Sequence, residues 1–202
     1  MQGKTHLVVG ITSALLIMQP NAFNDLVMGI GAAAVGSLIS DIDVETSVSH
    51  KKADYIVRGS ILMILILAAL DFSGKMSVWN HISANELWIH KIVGMCILLV
   101  ICAYGKEQPH RSLMHSLIVL AALGWCIKLL IPSAYMYFCI GFLSHLGLDV
   151  FNKKGIQLFY PYRKRFCLKL CSAGGKIDSW IGNTGMMAMA AVIGWRLFKI
   201  II

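Results

Sequence analysis

Seven apolar stretches leave this chain few ways to fold: Leu7 to Met18, Leu26 to Ser40, Ile56 to Leu70, Trp88 to Tyr104, Leu113 to Ile131, Tyr135 to Phe151 and Gly185 to Ile202. In a bilayer every backbone N–H and C=O must find its partner within the protein, so such stretches become helices. Composition agrees, with 57% hydrophobic residues, 14% charged residues and a mean hydropathy of +0.72, values too apolar for a soluble domain. The expected architecture is all-α: a polytopic membrane bundle of about seven helices forming a single integral membrane domain over residues 1–202. The first two stretches fall below the ~20 residues of a full span. They are therefore expected to form a short tilted hairpin or a re-entrant pair around Gln19-Pro20-Asn21. A second tight turn is expected at Ile131-Pro132-Ser133.

The start of the chain has a second reading. Lys4 followed by Leu7 to Met18 has the form of a signal peptide, but MQPNAFND offers no small-x-small cleavage site, so retention of the first helix is expected. The six cysteines lie mostly in apolar stretches without a CxxC pair, and read as small hydrophobes.

The net charge of +8 could mean nucleic acid in a soluble protein, but in a membrane protein it first marks cytoplasmic loops and anionic head groups. Placing the N-terminus inside puts 13 of the 18 Lys and Arg on that side, and leaves Lys75, Lys91, Lys128, Arg196 and Lys199 opposite. That division favours a cytoplasmic N-terminus. It also collects polar groups at one membrane face: His6 at the start of helix one, Asp41 and Asp43 after helix two, His110 and His115 at the mouth of helix five, and His145 with Asp149 at the end of helix six. His81 and His90 fall at the other face.

His145 and Asp149 are four apart on one helix, so their Cβ atoms lie about 5–6 Å apart on one face and both can reach one cation. Ionisable groups in apolar spans are functional candidates by default. The alternative is an imidazole satisfied by a neighbouring carbonyl, with Asp149 orienting it. SDID, Ser40 to Asp43, follows a small-residue helix suited to close helix contact. Carboxylates are disfavoured at a helix C-terminus, which argues for metal binding by Asp41 first and Asp43 second, against a plain helix boundary in water.

In PHRSLMHS, Pro109 to Ser116, an unbroken helix would place His110 and His115 about 140° apart, and Arg111 on the face of His115. A turn at Pro109 would let His110 swing to the same cavity; otherwise it is a solvated loop histidine. Arg111 has the planar fork that clamps phosphate or carboxylate, or serves as an anchor on the inside. Imidazoles and carboxylates without a thiolate set suit zinc, with manganese or iron as alternatives. From Asn152 to Trp180, seven Lys and Arg alternate with aromatic rings, as in a segment lying among head groups. Nucleic-acid binding is not expected there. Asp178 reads as a helix cap or as one more ligand.

Four ordered motifs carry a resemblance: Thr5-His6 before an apolar helix, SDID, HRSLMHS, and SHLGLDVFNKKGIQLFYP at Ser144 to Pro161. Together they resemble the YdjM-like family of bacterial inner-membrane proteins, described as membrane-bound metal-dependent hydrolases. Ser112 and Met114 stand where the family usually has Gly and Thr. A more distant similarity in motif order links His6, Asp41, His115, His145 and Asp149 to zinc phospholipase C and P1-type nucleases, although the earlier HxxxD of those enzymes has no counterpart.

The resemblance implies a hydrolase acting on a membrane lipid or lipid-linked (phospho)ester at the cytoplasmic face of the inner membrane, with one or two divalent ions, Zn²⁺ before Mn²⁺ or Fe²⁺. His6, Asp41, His115, His145 and Asp149 would be the ligands, and Asp43, Arg111 and His110 the catalytic groups. Asp43 would be a general base if Asp41 binds metal. The rival readings are a non-hydrolytic metal-binding membrane protein or transporter, and a structural bundle whose polar residues only cap helices.

Overall fold

A computed structural model describes residues 1–44 and 86–202. Its regular elements are all helical: α1 (Gly3–Met18), α2 (Phe23–Ile39), α3 (Glu86–Lys106), α4 (Leu117–Leu130), α5 (Tyr135–Val150) and α6 (Lys176–Ile201). Six of the seven expected helices are thus present. The stretch Ile56 to Leu70, with Lys51, Lys52, Arg58, Lys75 and His81, lies outside the described residues.

Among the described residues, three helices are long and apolar enough to cross a membrane: Phe23–Asp43, Trp88–Lys106 and Lys176–Ile201. The first of these corrects the expectation of a short second helix, because a 3₁₀ turn, Ser40–Asp43, continues α2 and carries the acids at its tip. The shorter α1 ends at Gln19, whose left-handed backbone (φ 51°) returns its N–H to the Leu15 carbonyl just before Pro20. The turn after α4 also falls where expected, as a 3₁₀ turn over Pro132–Ala134.

Among the described helices, α2 and α5 pack most closely, and two glycines make this possible. A Cβ on Gly36 would run into the Phe138 carbonyl, and one on Gly141 into the Ala33 carbonyl. Such backbone contact is open only to small residues, and it sets His145, one turn beyond Gly141, against Ser37. Two apolar clusters flank this seam. One joins Cys102, Val119, Leu123, Phe138, Phe142 and Leu146 between α3, α4 and α5. The other joins Ile11, Ala14, Leu15, Leu26, Ala33 and Tyr137 between α1, α2 and α5.

Two boundaries differ from expectation. Leu113 to Ile131 is not one helix: Leu113–His115 forms a 3₁₀ turn, Ser116 is extended (φ −120°, ψ 155°), and α4 starts only at Leu117. Ser116 breaks the run because its Oγ accepts from the Val119 N–H as an N-cap, while the Leu117 N–H goes to the Leu158 carbonyl. At the other end, α6 begins at Lys176 rather than near Gly185, with Asp178 in its first turn.

The basic segment after α5 does not lie wholly on a surface. Paired bridges Asn152 with Cys171 and Ile156 with Phe166 fold it back on itself, and Ile156 is fully buried in the first apolar cluster. Its outer part, with Phe159, Tyr162, Arg163, Lys164 and Arg165, is exposed. Arg196 is buried, which removes it from the surface charges that set helix orientation.

Candidate metal centre

The polar groups meet at one end of the bundle. α1 brings His6, the 3₁₀ turn after α2 brings Asp41 and Asp43, the segment before α4 brings His110, Arg111 and His115, and α5 brings His145 and Asp149. His6, His115, His145 and Asp149 are at most 2% exposed.

At the centre, His115 Nε2 and His145 Nε2 are 3.2 Å apart. Asp41 Oδ1 lies 3.7 Å from each of them, and Asp149 Oδ2 lies 3.4 and 3.8 Å away. A tetrahedral zinc site with bonds of about 2.0–2.2 Å has ligand-to-ligand edges of about 3.3–3.6 Å. The five spacings are close to such edges, and they put Asp41 and Asp149 each within reach of an ion shared with the His115–His145 pair. Among the described residues, two donor groups could hold an ion: Asp41, Asp43, His110 and His115, and His6, His145 and Asp149.

The proton positions favour a cation between them. His145 Nδ1 lies 2.7 Å from the Ser37 carbonyl; because a carbonyl only accepts, Nδ1 carries the hydrogen and Nε2 presents its lone pair to the cluster. The two open readings of His145, carbonyl partner or metal ligand, are thus opposite ends of one ring. His115 Nδ1 lies 3.4 Å from Asp43 Oδ2 but makes no hydrogen bond there, and its Nε2 faces the cluster. The His145 lone pair and two carboxylate oxygens facing one another repel unless a cation or a shared proton lies between them, and His115 Nε2 borders the same space.

The His6 ring stacks on that of His145 with centroids 3.9 Å apart. Its Nε2 is 3.5 Å from Asp149 Oδ1, and its buried Nδ1 has no partner. The Met1 nitrogen also approaches Asp149 Oδ1, at 3.1 Å.

Asp43 plays a different part. Oδ1 accepts from His110 Nδ1 at 2.8 Å, and Oδ2 accepts from the Arg111 backbone N–H at 3.1 Å while facing His115. With both oxygens engaged, this carboxylate orients the His110 ring, the arrangement that fixes imidazoles in metal sites, and places its charge beside His115.

The segment Pro109 to Ser116 is not an unbroken helix, so the 140° divergence does not arise: a turn at Pro109, closed by the Ser112 N–H on the Pro109 carbonyl at 3.2 Å, lets His110 swing to the cluster as expected, while Arg111 and His115 share no helical face. The loop itself turns both histidines and the arginine inward. His110 is the most open member, with its side chain 39% exposed. His90, expected elsewhere, is exposed on α3.

Two supports were not legible. The Ser37 contact runs through a backbone carbonyl, which any residue type supplies, so no sequence signal marks it. Asp178, expected as a cap or a ligand, accepts from the Gln2 N–H at 3.0 Å, Thr5 Oγ1 at 2.8 Å and the Gly174 N–H at 2.7 Å. It holds the start of α1, and with it the residue next to His6. An acid in the first turn of a helix was the available clue, but the cap falls on a different helix.

Compared with known families, residues 1–201 match the model of the YdjM inner membrane protein. No curated protein and no solved structure matches the chain, so the more distant motif-order similarity to zinc phospholipases and P1-type nucleases gains no support there.

Proposed function

Because the chain belongs to the YdjM inner membrane protein family, we propose that it is a membrane-bound hydrolase that uses a divalent metal, zinc first, on a lipid or lipid-linked ester at the cytoplasmic face. The observation that carries this reading is the convergence of Asp41 Oδ1 and Asp149 Oδ2 on the His115 Nε2–His145 Nε2 pair, with separations of 3.2–3.8 Å. His6 stands beside it, as a fifth ligand or toward a second ion. When bound, such a metal supplies Lewis acidity, making water nucleophilic near neutral pH and drawing charge from an ester oxygen.

The protein's own groups prepare the site for that chemistry. Ser37 fixes the His145 imidazole with its lone pair inward, so that ring needs no reorientation when the ion enters, and Asp43 flanks the His115 ring. His110, partly open to water and held between Asp43 and Arg111, forms the solvent-facing side of the site. Asp43 is assigned to orientation rather than to the general-base role, since its oxygens are already engaged.

Lipid as substrate is supported by the setting. The cluster lies at the ends of apolar helices, and the basic, aromatic segment forms its rim: the Gln157 N–H binds the Arg111 carbonyl at 3.0 Å. Lys and Arg at that rim suit anionic head groups. Collection of the described polar groups at one end favours a surface reaction over transport, which calls for sites near the bilayer midplane.

The test is purification in detergent, elemental analysis, and an assay of phospholipid turnover for the wild type and for His145→Ala. One or two zinc equivalents and turnover, lost together in the variant, are expected. Wild-type metal content and turnover in His145→Ala would sink the assignment.

A further inference from the structure

Arg111 is 6% exposed, and its guanidinium is only partly used. Nε donates to His110 Nε2 at 3.3 Å, and Nη2 donates to Asp149 Oδ1 at 3.4 Å. Nη1 is buried and has no hydrogen-bond partner. A buried N–H of a permanent cation is costly to leave unpaired, and this one sits on the same guanidinium that touches Asp149 at the edge of the cluster.

The backbone is held for this purpose. Arg111 has φ 67°, a left-handed conformation that a long side chain rarely adopts and that recurs at functional sites. Both of its peptide groups are pinned, the N–H on Asp43 Oδ2 and the carbonyl under the Gln157 N–H. The strain aims the side chain inward, toward the cluster, when an anchor on the membrane surface would need it to point out.

We propose that Arg111 Nη1 is the anion subsite of this centre, and that it receives a non-bridging oxygen of a phosphoryl group. This rests on the hydrolase reading and narrows its substrate to a phosphoester, since a neutral carboxylic ester has no such oxyanion for a fixed guanidinium to meet in the ground state. Arginine suits the task because its charge is permanent and its donors are planar and rigid. The rival role for the same residue is a counter-charge that merely stabilises Asp149.

The experiment uses the full chain in detergent, with and without zinc, and titrates inorganic phosphate by calorimetry. Nanodiscs compare phosphatidic acid with diacylglycerol to separate a lipid phosphoryl group from free phosphate. Wild type is expected to bind phosphate, and Arg111→Gln to bind it about ten- to a hundred-fold more weakly with metal content unchanged. Arg111→Lys, which keeps the charge, should recover part of the loss. A preference for phosphatidic acid over diacylglycerol that Arg111→Gln abolishes would assign the subsite to lipid; equal loss for free phosphate alone would assign it to a soluble phosphoester.

Phosphate binding by Arg111→Gln within two-fold of wild type overturns the proposal, as does no phosphate binding by zinc-loaded wild type. Loss of zinc from both Arg111→Gln and Arg111→Lys also overturns it, in favour of the counter-charge. Should wild type hold no metal yet bind phosphate through Arg111, the hydrolase reading fails and the subsite stands.

Discussion

His145 and Asp149 reach the cluster from consecutive turns of α5, whereas His110, Arg111 and His115 reach it from a segment with no helical repeat. The first pair is held by a seam: Gly36 and Gly141 let α2 and α5 touch backbone to backbone, and Ser37 orients His145. The second group is held by a single carboxylate, Asp43, which binds His110 and the Arg111 backbone and faces His115. A ligand on a packed helix inherits the rigidity of that helix. A ligand on a loop needs a dedicated partner for every ring, and that partner becomes as necessary as the ligand.

The contrast can be broken from either side. The largest effect is expected from Asp149→Asn, which removes a carboxylate charge touching His6, Arg111, His115 and His145 at once. Metal affinity should fall by more than about 100-fold, the upper range seen for losing only an outer partner, as read by competition with a chelator. Should Asp149→Asn keep its metal, the centre would have to lie wholly on the loop side.

Next comes Gly141→Leu, which drives side-chain atoms into the Ala33 carbonyl and parts the seam. We expect a loss of about 1–3 kcal/mol or more in detergent unfolding, accompanied by weaker metal binding, because His145 moves with its helix. Unchanged metal affinity in an otherwise destabilised Gly141→Leu would show that the seam supports the fold but not the ligand.

Asp43→Asn tests the loop side. It keeps the shape but weakens the hold on His110 and removes the charge beside His115, and should cost about 10–100-fold in metal affinity with little change in helix content by circular dichroism. A drop of less than two-fold would mean that the loop is held by its own backbone bonds. The smallest effect belongs to Ser116→Ala. Loss of the α4 cap should cost about 1 kcal/mol in stability and leave metal content untouched, which separates the helix boundary from the site it adjoins.

The helices themselves were legible because lipid-depth helices announce themselves by length and apolarity, and His145 with Asp149 because four-residue spacing is fixed by helix geometry. Convergence of His6, Asp41 and His115 on that pair followed from topology, since each stands at or just beyond the same end of an apolar stretch. The loop was not legible in the same way. The turn at Pro109 that brings in His110 was expected, but Leu113 to Ile131 read as one helix, and nothing in the apolar pattern shows that Ser116 would turn extended to cap α4.

The sequence by itself determined which side chains stand at one end of an apolar bundle, because helical period and hydrophobic length act locally along the chain. Only the tertiary structure decided how those side chains meet: that Ser37 lends a carbonyl to His145, that Asp43 holds a loop in place, that Asp178 caps a helix distant in sequence. These depend on backbone atoms and on close approaches between distant segments, which side-chain identity alone does not record.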